Sequence, residues 1–454
     1  MAIQSMDNPA YRRDLGGGLV LRWSTAADMD AIGQLYGFVF RGKPEEPLNA
    51  SMMAWERDLI SGRHPLIGSG DFALVEDTDG GAIVAATCLL RQTWEYEGIA
   101  FPVGRPEIVA TLPEFRNRGL IRAIFELIHA RSDGEGHLAQ GITGISYYYR
   151  QFGYEYAIDL DAYRSVYLAA IPKLKEGEAE PYALRDATPA DLPRVMELYD
   201  RGRAHGPVST RIDADYWRWV LDGQNPNSGE GWRTQLIVRA GEDHPALGYV
   251  LTSRWRWGDS MGVRGLAVDR GVALPPLAPS LLRALQAQAL TLPALRPTEP
   301  EVVKISFVLA TNHPLYGALG PQLTAGPDRP YAWYVRVPDL PRLIRRIAPA
   351  LERRLAASSS SGYSGDLTLN FYRSGLRLAF EQGRLMAAED FRAEGWRPQH
   401  NAGFPPLVFL QLLFGRRSLA ELRHAFPDVW ADDIGRPLLE ALFPARPSWV
   451  LPLD

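Results

Sequence analysis

Cysteine is nearly missing from this sequence. Its 454 residues include one, Cys88, so no disulfide can close within the chain, which fits a reducing compartment or simple lack of need. Cys88 stands in the apolar run Ile83-Val84-Ala85-Ala86-Thr87-Cys88-Leu89-Leu90 and reads as a small buried strand residue rather than a nucleophile. The eight histidines show no HxxxH spacing and no clustering with cysteine, so no structural zinc site and no other metal is expected. There is no run of about 18 apolar residues, hence no membrane-spanning helix and no membrane partner. The opening Met1-Ala2-Ile3-Gln4-Ser5-Met6-Asp7 has no basic region leading into an apolar core, so no signal peptide is read and the cytoplasm is the expected location. A strong charge of one sign is lacking too. The formal net charge is -4, which offers no overall field for nucleic acid, and no nucleic-acid partner is expected.

What is present is ordinary for a globular chain: 46% hydrophobic and 22% charged residues. The length suggests two to four domains. The first organising signal is an internal echo. Leu21-Arg22-Trp23-Ser24-Thr25-Ala26-Ala27-Asp28 runs on to Ile32, Leu35 and Tyr36, and Leu184-Arg185-Asp186-Ala187-Thr188-Pro189-Ala190-Asp191 runs on to Val195, Leu198 and Tyr199. The shared pattern, L-R-x-x-T-x-A-D-x-x-x-[IV]-x-[QE]-L-Y, reads as a strand, a cap at Thr25 or Asp28 (Thr188 or Asp191), and a helix with one apolar face. A whole duplicated domain is inferred.

In the first copy strands are expected at 72–75 and 83–90 around the Asp79-Gly80-Gly81 turn, and at 108–112. A helix is expected at 120–130, a strand near 138–143, a short helix near 146–151 and a strand after Tyr154. Antiparallel strands followed by a strand–helix–strand crossover make a mixed α+β sheet. The second copy offers strands at 235–238, 247–252, 263–268 and 302–309 and a helix at 277–290. A third, small α+β region has a basic amphipathic helix at 340–355, a hairpin around Ser374-Gly375, and apolar helices at 405–414 and 419–426.

The chemistry is sought where a strand feeds a tight loop and a helix start, at Arg116-Asn117-Arg118-Gly119-Leu120-Ile121. Such a turn aims several backbone N–H groups at one spot, and the helix dipole adds positive charge there. Gly119 permits close backbone approach, and Arg116, Arg118 and Arg122 add formal charge. The ligand implied is a di- or polyphosphate. The spacing is neither GxGxxG nor GxxxxGK[ST], which disfavours dinucleotide and P-loop nucleotide binding.

The loop resembles the R/Q-x-x-G-x-G/A loop of the GNAT superfamily of N-acetyltransferases, with Ile121 departing from the usual second small residue. Val109-Ala110-Thr111-Leu112-Pro113 resembles the strand that holds the pantetheine arm through its backbone, and Tyr149-Arg150-Gln151-Phe152-Gly153-Tyr154 resembles the Y-x-x-x-G-[FY] string of many members. The fuller pattern, P-x-x-R-x-R-G-L-[IL]-R then Y-x-x-F-G-Y, looks like the Eis (enhanced intracellular survival) family. That resemblance implies an α+β chain of a catalytic GNAT domain (1–165), a second, degenerate GNAT-like domain (166–337) and a sterol-carrier-protein-like domain (338–454). It also implies acetyl-CoA as co-substrate, a small-molecule or peptide amine acceptor of polyamine, aminoglycoside or lysine type, and a homo-oligomer, a hexamer in the family. The second copy keeps Tyr316-Gly317-Ala318-Leu319-Gly320 but has Pro275, Pro276 and Pro279 where the phosphate loop would be. Proline removes the donors a phosphate needs, so this copy is not expected to bind CoA.

Acetyl transfer needs a neutral amine, a stabilised oxyanion and a protonated leaving thiolate. Backbone N–H groups near Val109, Ala110 and Thr111 are placed to polarise the carbonyl. The resemblance makes Tyr149 the proton donor, a phenol still protonated near neutrality. In the run Tyr147-Tyr148-Tyr149 at most one ring of three successive helical residues faces the sulfur. The resemblance also brings the chain's last carboxylates, at Asp454, into the site, as base or as a hold on a cationic amine. Phe38, Phe40 and Trp55 fall where such enzymes build the acceptor pocket. The competing reading is a lipid- or metabolite-binding protein whose GNAT domains are only scaffold.

Overall fold

The computed structural model describes residues 5–160, 162–203, 206–241, 245–320, 323, 330–393 and 399–454. The first sheet opens with β1 (Arg12–Gly16) and β2 (Leu19–Trp23). The echoed segment then does the same thing twice. In the first copy the Thr25 main chain and hydroxyl both donate to Asp28, which Arg22 also grips at 2.7 Å. In the second, Thr188 donates twice to Asp191, held by Arg185 at 2.8 Å. Each capping box closes a 3-10 turn that launches a helix. The first of these is α1 (Met29–Val39), followed by α2 (Ala50–Ile60).

The chain continues as β3 (Phe72–Asp77), β4 (Ala82–Tyr96) and β5 (Ile99–Thr111). The expected strand at 108–112 is thus the tail of a much longer one. Glu97 and Gly98, at φ 47° and 82°, form the tight turn joining β4 to β5. Then come α3 (Leu120–Gly134), β6 (Ala139–Ile142), a 3-10 turn (Tyr149–Phe152) and β7 (Glu155–Leu160). Alternation places Phe72 and Leu74 against α1 and α2, and Ala73 and Val75 against α3. Leu120, Ala123, Ile124, Leu127 and Ile128 form the buried stripe of α3, each large aliphatic contributing about 1.5–3 kcal/mol by burial. Helices therefore cover both faces of the sheet.

Beyond it lie β8 (Ala162–Tyr167), β9 (Tyr182–Asp186), α4 (Leu192–Arg203), β10 (Val208–Arg211) and α5 (Ala214–Arg218). They lead into β11 (Trp232–Arg239), β12 (Gly248–Ser253), β13 (Ser260–Val268), α6 (Leu274–Thr291), β14 (Lys304–Leu309), α7 (Pro314–Leu319) and β15 (Tyr331–Arg336). The two sheets exchange strands. The first runs β1-β2-β3-β4-β5-β6-β15-β7, with β10 paired to β4, and the second runs β8-β14-β13-β12-β11-β9. Tyr334 of β15 faces Ile142 on one side and Tyr156 on the other, while Tyr167 of β8 faces Lys304. The expected boundary at 165/166 runs through β8, which pairs in the second sheet. An alternating apolar pattern fixes a strand but not its partner.

The last region has α8 (Leu340–Ala356), β16 (Gly365–Asn370), β17 (Gly375–Glu381), β18 (Arg384–Phe391), β19 (Ala402–Gly403), α9 (Phe409–Leu413), α10 (Leu419–Ala425), β20 (Trp430–Ala431) and α11 (Gly435–Leu442). Its sheet runs β18-β17-β16-β19-β20. Its core is continuous with the first sheet, because Trp94, Phe101, Val103 and Trp333 pack in one cluster with Leu343, Ile347, Leu369 and Phe409. Residues 449–454 then leave this region and thread between the first two sheets. Leu451 and Leu453 bury among Tyr216, Trp217 and Leu251. The whole is a mixed α+β chain, and among the described residues no helix is long and apolar enough to cross a membrane.

Candidate active site

The site is built where β5 and β6 part. They pair in parallel only at Val103–Ala139 and Gly104–Gln140, whereas β5 stays paired to β4 out to Thr111. The β6-facing edge of residues 105–111 is therefore left without a strand partner. Between Glu107 and Ala110, β5 carries one residue more than β4 opposite it, and Ile108 sits at φ 50°. This bulge turns the backbone locally, beside the three residues expected to meet the cofactor, Val109, Ala110 and Thr111. The Thr111 hydroxyl is buried without a hydrogen-bond partner, a group a polar ligand can use.

At the far end of that edge is the loop to α3. Asn117 and Gly119 both take left-handed backbone, at φ 62° and 76°, so successive N–H groups converge on one concavity. No side chain caps α3, which leaves the first amides of the helix, through Leu120, Ile121 and Arg122, open to an anion. The Arg116 guanidinium reaches the Thr111 carbonyl at 3.4 Å, Arg118 lies over Phe115, and Arg122 donates to Gln151 at 3.1 Å. A cavity of about 310 Å³ beside Arg118 and Gly119 is bounded on its other side by Gly16 and Gly17, at the turn between β1 and β2. These residues fit a polyphosphate of the size and charge of a CoA pyrophosphate.

Tyr149 stands in a hydrophobic cluster with Phe125, Ile142, Tyr154 and Tyr334, against which Val109 packs. Its ring meets Tyr334 of β15 edge to face at 5.4 Å. Its hydroxyl makes no hydrogen bond among the described residues. Burial, and then the charge of Glu107, push that phenol well above its ordinary value, so it stays protonated near neutral pH. Tyr147 is exposed, and Tyr148 is half-buried against Phe152.

A cavity of about 300 Å³ lies at the join of the first two sheets, lined among others by Phe40, Met52, Trp55, Glu107, Glu230, Trp257 and Asp454. Phe40 and Trp55 thus reach it. Phe38 does not line it and lies instead beneath Arg41, 3.9 Å from the ring centroid. Asp454 is set by an extensive network. Arg105, 2% exposed, lies 2.8 Å from the Asp454 carboxylate and 2.5 Å from Glu107, and donates to the Leu453 carbonyl at 2.6 Å. Arg264 donates to Asp454 Oδ2 at 3.3 Å, and Tyr216 to its main-chain oxygen at 3.1 Å. Burial pushes the Asp454 carboxyl up, but Arg105 and Arg264 more than reverse this and hold it below its usual range. Glu107 is moved the other way, by burial against Arg105 and with Asp454 adding to the rise. Beside Asp454, burial lowers His64 to about 4, so its imidazole is neutral near pH 7.

Sequence reasoning did not single out Arg105, Glu107, Glu230 or Arg264. The one local signal was Arg105-Pro106-Glu107 interrupting an apolar stretch, charges that a buried strand carries only when paired.

The second sheet repeats the splay, but a side chain bonds to part of its free edge. β13 and β14 pair from Ser260–Lys304 to Val263–Phe307, and beyond lies an open cavity of about 910 Å³. There His313 Nε2 lies 2.9 Å from the Leu266 carbonyl, occupying the edge that is free in β5. Tyr316, at the position matching Tyr149, has its hydroxyl bound between the Phe307 carbonyl and the Leu309 amide. Pro275 and Pro276 stand in the first turn of α6.

Comparison with known families agrees with this geometry. Residues 21–157 match the acetyltransferase (GNAT) domain. A search of curated protein sequences finds no match. Solved structures are similar over nearly the full length, among them these three. A GCN5-related N-acetyltransferase from Anabaena variabilis is 14% identical, with 95% of this chain and 99% of that one covered and a TM-score of 0.64. A probable N-acyltransferase from Enterococcus faecalis is 14% identical, covering 96% and 99%, with a TM-score of 0.67. Eis1 from Mycobacterium abscessus is 16% identical, covering 96% and 99%, with a TM-score of 0.59. At such identities the likeness establishes a shared fold. The domain at 21–157 defines the class: the chain is an acetyltransferase, and its GNAT domain uses an acyl-CoA.

Proposed function

We propose that this chain is an acetyl-CoA-dependent N-acetyltransferase of the Eis kind, transferring acetyl directly to a primary amine of a small cationic acceptor, polyamine-, aminoglycoside- or lysine-like. The observation that carries the reading is a convergence. The unpaired edge of β5 separates a free, buried phenol at Tyr149 from a cavity lined by Glu107, Glu230 and Asp454. The pyrophosphate of acetyl-CoA would lie on the amides from Arg118 to Arg122, with Arg116 and Arg118 adding charge. The pantetheine arm would run along Val109, Ala110 and Thr111, whose N–H groups polarise the thioester carbonyl. Asp454, fixed by Arg105 and Arg264, would hold the acceptor's ammonium group. Tyr149 would protonate the thiolate as the C–S bond breaks. No metal takes part in this scheme. The layout we propose is an active GNAT domain, a degenerate copy and a sterol-carrier-like domain whose apolar helix α9 is core, assembled as a cytoplasmic homo-oligomer, a hexamer by the family resemblance.

The test is a thiol-release assay with acetyl-CoA and a panel of amines. Tyr149→Phe should lower kcat by about 10²–10⁴-fold, the range of general-acid effects, and leave acetyl-CoA affinity unchanged. Equal turnover would remove Tyr149 from the mechanism. Absence of both transfer and acetyl-CoA binding in the wild-type chain would refute the reading.

A further inference from the structure

Three side-chain carboxyls line the acceptor cavity: Glu107 on β5, Asp454, and Glu230 on the segment that enters β11. Two of them are engaged. Glu107 lies 2.5 Å from Arg105, and Asp454 lies 2.8 Å from Arg105 and 3.3 Å from Arg264. Glu230 is different. Its nearest cation is Arg264 at 3.7 Å, beyond hydrogen-bond reach, and its oxygens accept no hydrogen bond among the described residues. It is a carboxyl with open lone pairs, largely walled off from bulk water and facing the space where an amine would sit. Glu107, Glu230 and Asp454 bring more negative charge to the cavity than the guanidiniums of Arg105 and Arg264 bring positive, an excess that a proton on Glu230 or an ammonium in the cavity reduces.

We propose that Glu230, contributed by the second sheet's half of the chain, is the general base that deprotonates the acceptor amine. The assignment rests on the acetyltransferase reading above. The environment suits the task. Burial, and then the Asp454 charge, raise this carboxyl against the pull of Arg264, with Glu107 adding to the rise and Arg105 opposing it, to about 7, where a base works best at neutral pH. Asp454, held low and doubly paired, is an anchor. The step balances. Glu230 carboxylate takes one proton from R–NH3+, the amine nitrogen forms the C–N bond, and the tetrahedral oxyanion collapses with loss of the C–S bond. Tyr149 gives its proton to the thiolate and recovers one from the new amide nitrogen. Glu230 returns its proton to water through the cavity mouth.

The experiment compares wild type, Glu230→Gln and Glu230→Asp between about pH 5.5 and 9, around the base's own range. Two acceptors are used: the best alkylamine of the panel, protonated at the start, and a matching hydrazide, neutral throughout. Glu230→Gln should lower kcat for the alkylamine about 100-fold or more, the effect of losing a general base, and erase the acidic limb of its pH profile. The hydrazide rate and acetyl-CoA affinity should stay within about twofold, because neither needs the base. Glu230→Asp should keep a reduced acidic limb. An unchanged limb, equal losses with both acceptors, or a change in KM alone would overturn the assignment while the Tyr149 result left the parent reading standing. No transfer by the wild-type chain to any amine would overturn both.

Discussion

Glu56 offers the sharpest test of how the cavity wall at α1 and α2 is held. It lies on α2, 0% exposed, with neither carboxylate oxygen hydrogen-bonded. A methyl group on Gly33 of α1 would sit 3.0 Å from its Oε2, so the two helices close directly over it. Those helices also supply the wall of the cavity at Phe40, Met52 and Trp55. Burial raises this carboxyl from 4.5 to about 8, with Arg57 opposing and Asp30 assisting. The folded chain therefore keeps the proton to about pH 8, while the unfolded chain gives it up near 4.5. The stabilisation is fully present below 4.5 and is lost as pH rises through about 8. At about 1.4 kcal/mol per pH unit the loss approaches 5 kcal/mol, and relaxation of α2 toward water would reduce it to about 3. Urea midpoints at intervals between about pH 5 and 9 read this slope for wild type and Glu56→Gln. The variant should be no more stable than wild type at the acidic end and clearly more stable at the alkaline end, with a flatter dependence between. Parallel curves would refute the claim that an unpartnered carboxyl is buried between α1 and α2.

Two further outcomes are expected. Calorimetry of the full chain with acetyl-CoA should give one site per chain, and Arg118→Glu, which reverses the charge beside Gly119, should weaken it about tenfold or more; a second site surviving that change would show that the cleft held by His313 and Tyr316 binds after all. A fragment 1–165 should fail to give a cooperative unfolding transition, because without β15 the strands β6 and β7 have open facing edges; a stable, monomeric fragment would contradict the strand exchange.

The turn into α3 and the burial of Tyr149 were legible in the sequence because each is local, its conformation set by a few consecutive residues. The echoed capping box was legible for the same reason, and it forms with the same Arg–Asp grip in both places. Phe40 and Trp55 reached the cavity while Phe38 did not; Phe38 stands in the last turn of α1 and Phe40 just past its end, and only three-dimensional packing decides which ring turns inward. The rest depends on long-range pairing. Nothing in the alternation of Tyr-Ala-Trp-Tyr-Val-Arg at 331–336 says that it pairs with β7, which ended some 170 residues earlier. Arg105 meets Asp454 and Trp333 only in the folded molecule. Glu230 stands in the polar loop Asn227-Ser228-Gly229-Glu230, whose composition predicts a solvated turn, and the approach of the Asp454 segment is what encloses it.

The strand exchange also imposes an order on biosynthesis. The first sheet cannot close until residue 336 has left the ribosome, although its neighbouring strand β7 is finished at Leu160. At roughly 5–20 residues per second the nascent chain spends on the order of 10 to 30 seconds with β6 and β7 unjoined. The cavity at the join of the first two sheets waits longer still, for the segment ending at Asp454. A product stopped between residue 336 and that segment would therefore have a closed first sheet and an unfinished cavity.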